Sequence, residues 1–175
     1  MSRGLRLIPI ILLLWLVAGL AWRLVKPADT AIPSQMVERP VPQFVLAPGV
    51  EGKPGLAAAD LATGQPRLIN VFASWCLPCV TEVKVLDELK RRGVTIDGIA
   101  VRDTPEALAA FLSRNGDPYE RVGADPKSET QIAFGSSGVP ETFVIDGKGV
   151  IRRQYIGALK PANIPGVLRE LEQVR

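Results

Sequence analysis

Arg67-Leu68-Ile69-Asn70-Val71-Phe72-Ala73-Ser74-Trp75-Cys76-Leu77-Pro78-Cys79 is the stretch on which the fold turns. Arg67 to Ala73 is apolar and β-rich, with Pro66 before it, and predicts a buried strand. Leu77 to Arg92 has helical spacing, with Val80, Val83, Leu86 and Leu89 on one side and Gly93 as the stop. The two cysteines therefore fall where a strand passes into a helix. One helical turn brings both sulfurs within bonding range. Cys76 at a helix N-terminus faces unpaired N–H groups and the positive end of the macrodipole, which favour a thiolate. In such motifs a thiol pKa falls from about 8.5 to between about 3.5 and 7.5, and two units amount to about 2.7 kcal/mol. Cys79, one turn in and less exposed, is placed to resolve a mixed disulfide. A purely structural disulfide here would close too small a loop to constrain the unfolded chain much.

Working outward, Phe44–Leu46 is a short strand candidate and Leu56–Leu61 a short helix candidate. Val94 to Val101 reads as a second buried strand. Asp103-Thr104-Pro105-Glu106 is a helix start, with Asp103 as cap, and Asn115-Gly116 ends that helix. A strand near Arg121–Ala124 and a helix near Lys127–Phe134 follow. Thr142–Asp146 and Val150–Ile156 are strands joined through Gly147-Lys148-Gly149, and Pro161–Val174 is a closing helix. Helix-separated strands imply parallel pairing, and the hairpin implies antiparallel pairing. The expected fold is α/β, a mixed central sheet with helices on both faces.

The chain has 175 residues, a net charge of +3 and no histidine. The absence of histidine removes the commonest metal ligand and general base, and two thiolates alone cannot close a zinc site, so no metal is expected. No basic run interleaved with aromatics is present, which argues against nucleic acid. At the N-terminus, Arg3 and Arg6 precede an apolar run from Leu7 to Trp22. Residues 1–25 read as one transmembrane anchor, with a cleaved signal peptide as the alternative; both place the rest across the membrane. Residues 26–42, with Pro27, Pro33, Pro40 and Pro42, read as an extended linker, leaving 43–175 as the folded domain.

Gly138-Val139-Pro140-Glu141-Thr142 precedes a strand. Pro140 lacks an N–H where the ladder should begin, and Val139 is pushed to an extended conformation. A cis Val139–Pro140 bond would leave the Val139 backbone open to pair with an extended peptide across the thiols.

Together these marks resemble the thioredoxin superfamily over roughly residues 43 to 175. The resemblance implies a thioredoxin-like fold and a cis Pro140 facing the dithiol. A closer resemblance is to the membrane-anchored thiol:disulfide interchange proteins of bacterial cytochrome c maturation, the DsbE/CcmG type. It rests on Leu68 to Cys76, on Asn115-Gly116-Asp117-Pro118-Tyr119, and on Gly138 to Gly147. That family sets acidic groups around the dithiol, and Glu82 and Glu141 match them. Asn70 stands where ordinary thioredoxins carry a buried Asp. Leu77-Pro78 departs from the family's commonest Pro-Thr. Glu82, three residues after Cys79, shares its helix face and could raise a thiol pKa or accept the Cys79 proton; an ordinary solvated charge is the alternative.

The resemblance implies a redox-active Cys76–Cys79 disulfide with no other cofactor, supported by Trp75, Pro78, Val139 and Pro140. It implies a single-pass protein of the bacterial inner membrane with its catalytic domain in the periplasm. Apocytochrome c or its haem-ligation machinery would be reduced, and a membrane electron donor of the DsbD/CcdA kind would recharge the dithiol. A general periplasmic disulfide oxidase, a thioredoxin-fold peroxidase and a non-enzymatic docking module are the competing readings.

Overall fold

The run Arg67–Phe72, apolar but for Arg67 and Asn70, becomes β3, buried at every position and central in the sheet. The computed structural model describes residues 3–25 and 36–174, with side chains over 8–22 and 36–174. A small antiparallel pair, β1 (Val45–Leu46) and β2 (Leu56–Ala57), precedes β3. After β3 come α2 (Leu77–Arg91), β4 (Ile96–Val101), α3 (Pro105–Asn115) and β5 (Val122–Asp125). Then follow α4 (Glu129–Ala133), β6 (Glu141–Ile145), β7 (Ile151–Ile156) and α5 (Ile164–Gln173). The sheet runs β5-β4-β3-β6-β7, with β3, β4 and β5 parallel and β6 antiparallel to both β3 and β7. This is the expected thioredoxin-like mixed sheet.

The two crossovers β3–α2–β4 and β4–α3–β5 step the same way along the sheet, so right-handed connections put α2 and α3 on one face. There Leu68, Phe72, Ala100 and Val144 pack with Val83 and Leu86 of α2, Phe111 of α3 and Val167 of α5. On the other face Ile69, Val71, Ile99 and Phe143 pack against Leu56, Leu61 and Phe134, the residue that closes α4. Because β6 runs against β3, its first residue and the carboxyl end of β3 lie at the same edge of the sheet. Cys76 and Pro140 are thereby brought to one end.

Three expectations change. Residues 36–42 are not linker: Glu38 N–H donates to Ile151 O, Val41 N–H to Gly149 O, and Val41 is buried. Pro40 bridges Val150 at an exposed edge, where a missing N–H costs nothing, so proline content does not signal an unfolded tether here. Leu56–Leu61 is not one helix but β2 followed by a 3₁₀ turn over Ala58–Leu61, started by Asp60 accepting from Ala57 N–H at 2.8 Å. Gly55 allows this close pairing, since a Cβ there would lie 2.2 Å from Leu46 O. Thr104, not Asp103, caps α3 through Ala107 N–H, because Asp103 is engaged elsewhere.

The N-terminal unit, taken by itself, contains α1 (Arg3–Val25), with Pro9 inside it. Its side chains from Ile8 to Trp22 are exposed. Among the described residues no helix is long and apolar enough to cross a membrane.

Candidate active site at the carboxyl end of the central strand

Beyond Phe72 the chain is pinned before it enters α2. Asp103 accepts from Ser74 N–H at 2.5 Å and from Ser74 Oγ–H at 2.7 Å. Trp75 Nε1–H donates to Arg102 O at 3.2 Å while the ring stays exposed. Cys76 then serves as N-cap of α2 in an extended conformation, its Sγ accepting from Cys79 N–H at 3.2 Å. Pro78 stands in the first turn, where its missing N–H has no helical partner to lose.

Cys76 and Cys79 are disulfide-bonded, with Cα atoms 5.3 Å apart. Cys76 is 4% exposed and Cys79 2%, whereas Leu77 is 78% exposed. The expectation of a reachable Cys76 thus meets a residue largely covered in the disulfide-bonded state. The Cys79 N–H already aimed at Cys76 Sγ is also a donor to a thiolate there, and the helix terminus adds to that preference.

The Val139–Pro140 bond is cis. Pro140 is buried and its carbonyl accepts from Gly157 N–H at 3.0 Å. Val139 is half-buried, and among the described residues its main-chain N–H and C=O have no hydrogen-bond partner.

Glu82 is no solvated helix charge: it is 1% exposed. Its carboxylate accepts from Leu159 N–H at 2.9 Å, Asn70 Nδ2–H at 3.1 Å and Thr142 Oγ1–H at 3.3 Å. Burial pushes its pKa up, and these three neutral donors pull back only partly. Asn70 also donates to Thr142 Oγ1 at 3.0 Å and accepts from Tyr119 O–H at 2.8 Å. Tyr119 stacks on Phe72, centroids 4.5 Å apart, and burial, then the charges of Glu82, Asp117 and Asp87, hold its phenol well above the ordinary value. It therefore remains a donor at every working pH.

Glu141, matched by resemblance to the same acidic setting, faces the other side of the sheet. It alternates with Thr142, which faces Glu82. Its carboxylate accepts from Ser137 N–H and Oγ–H and Gly138 N–H, and from Gln154 Nε2–H. It braces the loop into Pro140. Sequence reading assigned no role to Thr142, Tyr119, Leu159 or Arg102, and gave Asp103 only that of a helix cap. Thr142 was within reach, since it pairs with Asn70 in register and alternation puts both on one face. Leu159 supplies only a main-chain N–H and leaves no sequence signal.

Residues 36–171 match the Redoxin family model. The chain is 40% identical over 159 residues to the thiol:disulfide interchange protein DsbE of Pseudomonas fluorescens biotype C, covering 91% of this chain and 88% of that one. It is 36% identical over 160 residues to the thiol:disulfide interchange protein HelX of Rhodobacter capsulatus, covering 91% and 90%. A crystal structure of a thioredoxin-family thiol:disulfide interchange protein from Chlorobium tepidum is similar at a TM-score of 0.61 and 28% identity, over 75% of this chain and 94% of that one.

Proposed function

This chain belongs to the redoxin family, as a thiol–disulfide oxidoreductase of the DsbE-like thioredoxin branch, and from that premise we propose that it reduces protein disulfides in the periplasm during cytochrome c maturation. The observation that carries the reading is the Cys76–Cys79 pair at the N-terminus of α2, with a buried carboxylate one turn further along the same helix. The recipient is apocytochrome c or its haem-ligation machinery, and the cysteines concerned are those that later bond haem.

The reduced Cys76 thiolate attacks one sulfur of the substrate disulfide. That S–S bond breaks, one substrate thiolate leaves, and a mixed disulfide joins Cys76 to the other substrate sulfur. Glu82 accepts the Cys79 proton, being on the same helix face and held by burial at a raised proton affinity. The Cys79 thiolate attacks Cys76 Sγ, the mixed disulfide breaks, and the second substrate thiolate departs. The substrate has gained two electrons, and the chain is left with the Cys76–Cys79 disulfide. Trp75 and Leu77 supply exposed apolar contact beside the sulfurs, and the Val139 main chain offers an edge for an extended segment. A membrane dithiol donor of the DsbD/CcdA kind returns two electrons and two protons. Residues 1–25 anchor the protein in the inner membrane; the apolar side chains of α1 support this, with Trp22 suited to the interface.

The test is a trap. Cys79→Ser, exposed to a periplasmic extract, should accumulate mixed disulfides through Cys76 that mass spectrometry identifies as c-type apocytochromes or their ligation partners. Cys76→Ser should accumulate none. A Cys79→Ser protein that captures nothing overturns the cycle, and a reduction potential near −120 mV rather than about −270 mV overturns its direction.

A further inference from the structure

Beside the dithiol, Arg102 follows the last residue of β4 in a left-handed conformation, φ 48°. A long branched-out side chain is rarely found there unless the surroundings hold it, and such residues gather at functional sites. Two contacts hold this one. Its N–H donates to Asp125 O at 3.1 Å, and its carbonyl accepts from Trp75 Nε1–H at 3.2 Å. The guanidinium is thereby placed 5.8 Å from the Trp75 ring centre.

The nearby carboxylates are committed elsewhere: Asp103 to Ser74 and Thr104, Asp125 to Gln131 N–H. Among the described residues the Arg102 guanidinium has no hydrogen bond and no ion pair, only the stacking on Trp75. Its planar fork of donors is free for a carboxylate. A groove of about 600 Å³ is lined by Trp75, Arg102, Lys127, Ser128, Ile132 and Val139, among others. Lys127 meets Glu129 only at 4.0 Å, with both largely exposed. Ile132 is 69% exposed, and Ser128 Oγ is buried without a partner. The groove thus combines the cations of Arg102 and Lys127, the exposed Ile132 side chain and the open main chain of Val139.

We propose that this groove takes the segment flanking the substrate's disulfide cysteine and that Arg102 selects an acidic side chain in it. The assignment rests on the thiol-exchange reading and adds to it the chemical class of the preferred substrate. Arg102 is a specificity-determining residue: it touches substrate and takes no part in the sulfur chemistry.

The test uses the reduced protein and two-cysteine disulfide peptides identical except for Glu or Gln at one position within three residues of either cysteine. At one position the Glu peptide should be reduced about tenfold faster in kcat/KM at low ionic strength, the size expected of one charge-assisted contact. The ratio should shrink as salt is raised. Arg102→Gln should bring the ratio to near one, and Arg102→Glu should invert it in favour of a Lys peptide. Lys148→Gln, at the β6–β7 turn, should leave the ratio unchanged. A wild-type ratio within twofold at every position overturns the assignment, as does a ratio that survives Arg102→Gln. If no peptide is reduced at all, the exchange reading fails instead.

Discussion

Asp97 and Glu82 are both buried carboxylates, and they are provided for in opposite ways. Asp97, in β4, is fully buried on the sheet face away from α2 and meets Arg67 Nη1 of β3 at 2.8 Å. Arg67 is itself held by Thr63 Oγ1 at 2.9 Å. Glu82 is 1% exposed on the α2 face and meets only neutral donors. Burial raises both pKa values; at Asp97 the guanidinium opposes this, at Glu82 hydrogen bonds from amides and a hydroxyl do. A cation beside a buried carboxylate favours its charged form by direct attraction. Neutral donors stabilise the charged form less and leave a proton free to arrive and depart. The carboxylate near the sulfurs has the second arrangement, and the one in the frame has the first.

The largest effect that can break this comparison is on stability. Arg67→Met leaves the Asp97 carboxyl without its partner in the interior, which costs about 3–5 kcal/mol. Urea denaturation should show that loss, while the exchange rate per folded molecule stays as it was. A loss under about 1 kcal/mol would mean that the pair holds little.

Next in size, Glu82→Gln should slow release from the mixed disulfide about a hundredfold at neutral pH, or about 2.7 kcal/mol in the barrier. The wild-type release rate should rise as pH passes upward through the raised Glu82 pKa, and the Gln variant should lack that limb. Stability has a definite sign too. A raised folded pKa means that the protonated carboxyl suits the fold: its contribution is whole below the unfolded value of 4.5 and is lost as pH rises through the folded value. The wild type should therefore weaken relative to Glu82→Gln as pH increases. Identical pH dependence in the two proteins would remove Glu82 from proton transfer.

Much of this was legible from residue order. The largely apolar run at β3, the cysteines at a strand-to-helix passage and the Gly-Lys-Gly turn each carry a local signal, and the sheet follows from them. The proline-rich approach at 36–42 misleads because proline is equally at home in a tether and on an edge strand. Asp103 and Thr104 are both good caps in isolation, and only the approach of Ser74 across the strand ends decides between them. The setting of Glu82 is hardest to foresee: helical spacing puts it near Cys79, but its donors come from β3, β6 and the segment before α5. A carboxylate's environment is tertiary, so one helix face cannot distinguish solvent from burial.

Tyr119 gives the smallest effect and the finest test. Its O–H donates to Asn70 Oδ1 and cannot ionise in the working range, so Asn70 is held with its amide N–H groups toward Glu82 and Thr142. A Cβ at Gly98 would meet Phe72 at 2.7 Å and Tyr119 at 3.1 Å, so the stacked rings depend on a bare strand beneath them. Tyr119→Phe keeps that packing and removes one hydrogen bond, at about 1 kcal/mol of stability. If Tyr119 only filled space, the exchange chemistry would be untouched. If it orients Asn70, the amide is freed to turn its oxygen toward Glu82, where two acceptors oppose each other. The carboxylate would then hold its proton more tightly, and the rising limb of the release rate should move to higher pH. The first attack by Cys76 should not change. A displaced limb with an unaltered first step marks Tyr119 as a positioning residue, and an unmoved limb assigns it to packing alone.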